Sequence, residues 1–127
     1  MIKSFLAYTA IIEGLTGLAL ILVPALVGIL LFKTELNSPL GTILAMVGGA
    51  AILSLALQAW LVRLQADTSI TLKILLIYNA AVSFILLYGV FKLGFGGIVL
   101  WLVILFHIVQ TGVCFRIIRK TRSINSS

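Results

Sequence analysis

The sequence predicts an all-α integral membrane protein, a four-helix antiparallel bundle, and three observations carry that prediction. Hydrophobic residues make up 62% of the chain and charged residues 9%, against about 25% charged in soluble domains. A chain of 127 residues cannot hide that much apolar surface from water, so its solvent is lipid. The charges divide it into four apolar segments, each with roughly the 20 residues that cross about 30 Å of hydrocarbon as a helix. No segment alternates polar and apolar residues as membrane β-barrel strands do. Helices are the other spanning form that satisfies its own backbone in lipid. The length corresponds to one domain.

The first segment, about 4–32, follows Lys3. It is expected to be retained and not cleaved as a signal peptide, because Glu13 falls inside its apolar core and no small-x-small site follows. Pro24 removes a backbone donor and predicts a kink in this helix. Residues 25–32 would then complete the crossing at an angle or lie near the outer interface. Residues 33–39 lead to the second segment, about 41–61, where Pro39 suits the first helical turn. Residues 63–69 lead to the third, about 72–91, with Asp67, Thr68 and Ser69 as candidate caps. Residues 92–96 lead to the fourth, about 97–115, followed by a tail over 116–127. Links this short make sequential helices antiparallel neighbours.

Lys and Arg set the orientation. Lys3, Arg63, Lys73, Arg116, Arg119, Lys120 and Arg122 fall on one side, and Lys33 and Lys92 on the other. The positive-inside rule puts both termini in the cytoplasm. Trp60 then lies near the cytoplasmic interface and Trp101 near the outer one, where indoles concentrate. The net charge of +6 follows this topological pattern and forms no phosphate-binding face, so nucleic acid is not an expected partner. The C-terminal Arg116, Arg119, Lys120 and Arg122 would anchor the last helix at anionic headgroups.

Glu13 lies about nine residues from the cytoplasmic end of its helix, about 14 Å deep. Ser54 and Gln58 on the second helix, Asn79 on the third, and His107 and Gln110 on the fourth fall in the same slab, from the midplane towards the cytoplasm. The polar residues also share helical faces. These are Thr9, Glu13, Thr16 and Gly17; Ala50, Ser54 and Gln58; Asn79 and Ser83; and His107, Gln110, Thr111 and Cys114. The expectation is a polar interior and an apolar outside. An ionised side chain at the bilayer centre costs about 2.5–3.5 kcal/mol even on lenient scales. Glu13 is therefore expected to be neutral or held against a donor, with His107, Gln110, Asn79 and Gln58 as candidates. A coupled Glu13–His107 pair would share one exchangeable proton.

The alternative for each polar residue is structural. Hydrogen bonds between membrane helices contribute about 0.6 kcal/mol each. The hydroxyls of Ser54, Ser83, Thr9, Thr16 and Thr111 can also bond back to their own helix. Gly41, Ala45 and Gly49, with Gly48 beside them, form a small-residue ridge suited to close packing within the bundle or against a partner.

Several chemistries lack their residues. One His and one Cys cannot build a zinc site, so no metal is expected. The single Cys114 is read as a small buried apolar residue and precludes an internal disulfide. The only Asp, Asp67, lies in a loop, which excludes a Ser–His–Asp triad. The glycines at 94, 96 and 97 make a turn without the strand and helix of a phosphate loop. A haem held by two histidines would need two chains, each supplying His107.

The run Glu13-Gly14-Leu15-Thr16-Gly17-Leu18-Ala19-Leu20 followed by Pro24 resembles the opening of small bacterial four-helix membrane proteins, loosely DoxX-like. The Gly-rich second helix ending in Ala59-Trp60, the pair Tyr78-Asn79, and Leu100-Trp101 with His107 and Cys114 are similar to that set as well, over nearly the whole chain. The resemblance implies a four-helix integral membrane fold with no single activity. Some DoxX relatives are linked to quinone and sulfur redox chemistry, but this chain has no redox centre of its own to carry that link across. A glutamate in the first of four short helices also resembles small multidrug transporters, whose pattern Pro24 and the His-bearing fourth helix do not match.

The resulting expectation is a small non-enzymatic inner-membrane protein with a polar interior of Glu13, Asn79 and His107. Gln58 and Gln110 are further ligand- or proton-binding candidates. The protein would bind a small ligand or a proton, or act as an accessory subunit of a larger membrane complex. The alternatives are a proton-coupled transporter working as a homodimer, and a quinone- or haem-associated redox component. No resident cofactor is expected on the first two readings.

Overall fold

The structure, a computed structural model, describes residues 1–36 and 38–125, with side chains described as far as Thr121. Asn37 in the first link, the side chain of Arg122, and the end of the tail at Ser126 and Ser127 lie outside the described residues. The chain is all-α, with helices α1 (Ile2–Leu22), α2 (Pro24–Phe32), α3 (Pro39–Val62), α4 (Ser69–Leu93) and α5 (Ile98–Asn125). Four of them are long and apolar enough to cross a membrane: Ile2–Leu22, Pro39–Val62, Ser69–Leu93 and Ile98–Thr121. Large apolar side chains such as Leu15, Leu44, Ile77, Phe84 and Leu102 stand exposed on these helices. In water that surface would be costly, whereas lipid solvates it. The protein is a multi-pass membrane protein in contact with the bilayer.

Element ends depart from the sequence expectation in ways that local chemistry explains. The first segment is two helices, not one kinked helix. Val23 sits at φ −140°, ψ 54° between them and Pro24 opens α2. Proline disfavours α geometry in the residue before it and cannot donate back to the preceding turn, so the helix stops and restarts. α2 has nine residues, about 14 Å of rise, too short to span alone. It closes at Lys33 in the left-handed conformation, and Leu36 folds back over Gly28. The second spanning helix starts at Pro39, two residues before the expected boundary, because the Ser38 side chain accepts from the Gly41 amide at 2.9 Å and Pro39 is preorganised for the first turn. α4 also starts early. Asp67 accepts from the Ser69 amide at 2.9 Å, while Thr68, in the cap position, makes no side-chain cap bond. Gly94, at φ 73°, terminates α4.

The largest departure is at the C-terminus. The sequence places a tail from residue 116, yet α5 continues to Asn125. Ile117 extends the buried stripe past Cys114 while Arg116, Arg119 and Lys120 are exposed. The basic residues mark where the apolar segment ends, but they are good helix formers and do not end the helix.

The chain divides into two compact units, Met1–Ala66 and Asp67–Ser127. In the first, α1 packs on α3. A Cβ on Gly17 would stand 2.7 Å from the Gly49 carbonyl oxygen and 2.8 Å from the Leu53 amide nitrogen, and one on Gly49 would meet the Gly17 carbonyl oxygen at 2.7 Å. Gly14 lies over Ala56. As the number rises along α1 it falls along α3, so the pair is antiparallel. In the second unit α4 packs on α5, also antiparallel, with Asn79 beside His107 and Phe91 edge-on to Trp101 at 6.4 Å.

A buried His107–Asn79 pair as the candidate functional site

On α5 the buried residues Leu100, Ile104, His107, Gln110, Cys114 and Ile117 recur every three or four positions, one stripe on a helix. On α4 Thr71, Leu75, Asn79 and Ser83 follow steps of four and are buried as well. Where these stripes meet, His107 Nδ1 lies 2.7 Å from Asn79 Oδ1. Asn79 is fully buried and His107 is 6% exposed.

The hydrogen-bond roles follow from the neighbouring bond. Asn79 Nδ2 donates to the Leu75 carbonyl at 2.7 Å. A carbonyl only accepts, so this contact fixes the amide orientation and leaves Oδ1, an acceptor, towards the imidazole. His107 must therefore carry a proton on Nδ1. The neutral ring then presents Nε2 as an acceptor, and the protonated ring presents it as a donor. The edge contacts of Tyr78 at 5.9 Å and Phe106 at 5.5 Å flank the imidazole plane.

The backbone beneath this pair is held too. Ser83 donates to the Asn79 carbonyl at 2.8 Å, and Thr111 donates to the His107 carbonyl at 2.8 Å. Both hydroxyls serve their own helices, as hydroxyls in apolar surroundings readily do. They line a shallow, mainly apolar groove of about 210 Å³ together with Ala80, Phe84, Leu87 and Ile108.

The other expected residues divide by unit. Gln110 is 5% exposed and sits one turn from His107 on the same buried stripe. Glu13 is 3% exposed and belongs to the first unit, on the α1 stripe of Leu6, Thr9, Ala10, Glu13 and Gly17. Thr16 is half-buried and donates to the Ile12 carbonyl at 2.9 Å. The face expected on α3 is not an interior one. Ala50 and Ser54 are exposed and Gln58 is half-buried, whereas Gly49, Ala56 and Ala59 are buried. The close approach of α1 requires small residues, which selects the Gly49–Ala56–Ala59 side. Ser54 can face lipid because it donates to the Ala50 carbonyl at 2.9 Å.

Sequence reasoning did not single out Thr71, which is 4% exposed. Its position two steps of four before Asn79 was the available signal. Nor did it pair Gly17 with Gly49. Among the described residues no group of three His, Cys, Asp or Glu is placed to hold a metal ion. No family model, curated protein or solved structure matches the chain.

Proposed function

We propose that this is a non-enzymatic inner-membrane protein that binds a proton or a small hydrogen-bonding ligand at His107. The observation that carries this reading is the 2.7 Å contact between His107 and Asn79 inside the α4–α5 hairpin. Imidazole is the side chain that changes charge near neutral pH, and ionisable groups within membrane helices are uncommon and concentrate at functional sites. A partner on one ring nitrogen fixes the tautomer and orients the other, the arrangement used wherever a histidine must present a defined acceptor. Gln110, one turn along the same stripe, supplies a further polar group on that helix, and Glu13 is a second buried ionisable residue in the membrane.

The Lys and Arg distribution supports both termini being cytoplasmic, and the motifs around Glu13, Asn79 and His107 support a DoxX-like affiliation and, with it, a bacterial inner membrane. Reporter fusions after Ser127 and in the loop at Glu35 should give opposite locations.

The test of the function is the ¹⁵N spectrum of the His107 ring in lipid between about pH 5 and 9. A reversible shift at Nε2, absent in His107→Gln, is expected. A ring that keeps one spectrum across this range, and does so again with candidate ligands added, would reduce the pair to a structural contact and the chain to an accessory subunit of a larger complex.

A further inference from the structure

A second site lies in the first unit. Between α1 and α3 runs an open groove of about 360 Å³. Its floor is made by the small residues Ala10, Gly14 and Ala56, its sides by larger ones including Leu18 and Leu57, and one end by Trp60. The groove exists because Gly17 and Gly49 draw the two backbones together while the residues nearer the Trp60 end stay too small to fill the space beside the crossing. Its lining is almost wholly apolar.

That end carries a positioned cation. The Arg63 guanidinium stacks over the Trp60 ring, 3.4 Å from its centroid, and donates one N–H to the Trp60 carbonyl. Arginine has five donors in a rigid fork, and only one of them is used on the Trp60 carbonyl. Lys3, exposed at the start of α1, lies at the same end of this antiparallel pair. A slot for hydrocarbon that finishes at a stacked guanidinium and a second basic residue matches one amphipathic shape and one charge.

We propose that this groove binds an anionic glycerophospholipid, with an acyl chain along the Ala10–Gly14–Ala56 floor and the headgroup phosphate against Arg63. Arg63 is preorganised by Trp60, and guanidinium pairs with phosphate through parallel N–H···O bonds. Charge selects the headgroup and the small-residue floor accommodates the chain.

The test uses the full chain in vesicles, with Trp101→Phe leaving Trp60 as the only indole. Quenching of Trp60 by phosphatidylglycerol brominated on its acyl chains is compared with quenching by brominated phosphatidylcholine. About a fivefold preference for phosphatidylglycerol is expected, the contribution of one basic residue at a membrane surface. Arg63→Gln should abolish the preference, and Lys92→Gln, at another helix end, should keep it. Leu57→Phe, which narrows the groove without touching Arg63, should reduce the preference to under twofold. Equal quenching by the two lipids in the unsubstituted groove overturns the proposal. So does a preference that survives Arg63→Gln. A preference unchanged by Leu57→Phe means charge alone holds the lipid and the groove has no part. Quenching by neither lipid means that protein, such as a second copy of the chain, covers the groove, which also overturns it.

Discussion

Gly17 and Gly49 meet backbone to backbone, each leaving only 2.7 Å between an added Cβ and the other's carbonyl oxygen. Real Cβ atoms are not found so close to backbone oxygen, and neither carbonyl can move without its helix. The crossing of α1 and α3 therefore depends on two hydrogen atoms where other residues carry methyl groups. Lipid gives helices no hydrophobic reason to associate, so packing of this closeness is a principal source of attraction between them.

Gly17→Ala and Gly49→Ala should each destabilise the protein by about 1–3 kcal/mol, the range for overpacking a well-filled site. Gly48→Ala is the internal control. Nothing lies within 4 Å of its Cβ position, so it should be neutral or slightly stabilising through helix propensity. Reversible unfolding in mixed micelles measures the three side by side. Equal behaviour of Gly48→Ala and Gly49→Ala would contradict the crossing.

Asn79→Leu should remove the acceptor that holds the His107 proton on Nδ1. In the wild type, ¹⁵N shifts should report a protonated Nδ1, because the Leu75 carbonyl holds the Asn79 amide with its oxygen towards the ring. In the variant, a second population with the proton on Nε2 should grow in. Loss of a partner for a buried donor costs about 1–3 kcal/mol, towards the low end in lipid. Ser54→Ala, by contrast, should change stability by less than about 0.5 kcal/mol, because Ser54 bonds only to its own helix on an exposed face.

The start of α4 should loosen in acid. The Ser69 backbone amide, then its hydroxyl, hold the Asp67 carboxyl below its ordinary value of 3.8, with Lys73 adding a smaller electrostatic contribution. A carboxyl depressed in the folded state contributes stability that is present above its unfolded pKa and lost as pH falls through the folded one. Amide exchange at Ser69 and Ile70 should therefore be unchanged from neutral pH down to about 4 and then accelerate relative to mid-helix amides. Asp67→Ala should show the faster exchange at every pH, and Asp67→Asn, which keeps an acceptor for the Ser69 amide, should remove the acid dependence.

Glu13→Lys should destabilise the fold by at least about 2.5 kcal/mol, the lenient cost of a cation deep in the bilayer. Glu13→Gln keeps the shape and most of the hydrogen-bonding capacity and should retain wild-type helicity by circular dichroism. Infrared difference spectra against Glu13→Gln would then identify the Glu13 carboxyl band. If Glu13 exchanges a proton in function, that band should change between about pH 5 and 9.

The four spanning helices and the class of the fold were legible in the sequence, because lipid imposes them through length and composition alone. About twenty apolar residues between charges must form a helix in hydrocarbon, whatever they pack against. The buried faces of α1, α4 and α5 were legible for a related reason. Glu13, Asn79 and His107 are too costly to turn towards lipid, so spacing of three and four around them reveals the inward side. On α3 the same reasoning placed Ser54 inside, and it failed because a serine satisfies itself on its own helix and exerts no such constraint. There the inward side was decided by how closely α1 approaches, and only the tertiary structure shows Gly17 against Gly49. The His107–Asn79 bond, its tautomer and the groove beneath Trp60 were likewise decided by packing. Helical periodicity tells which face a residue occupies, but the partner across an interface depends on the register and crossing of two helices, which one-dimensional spacing does not contain.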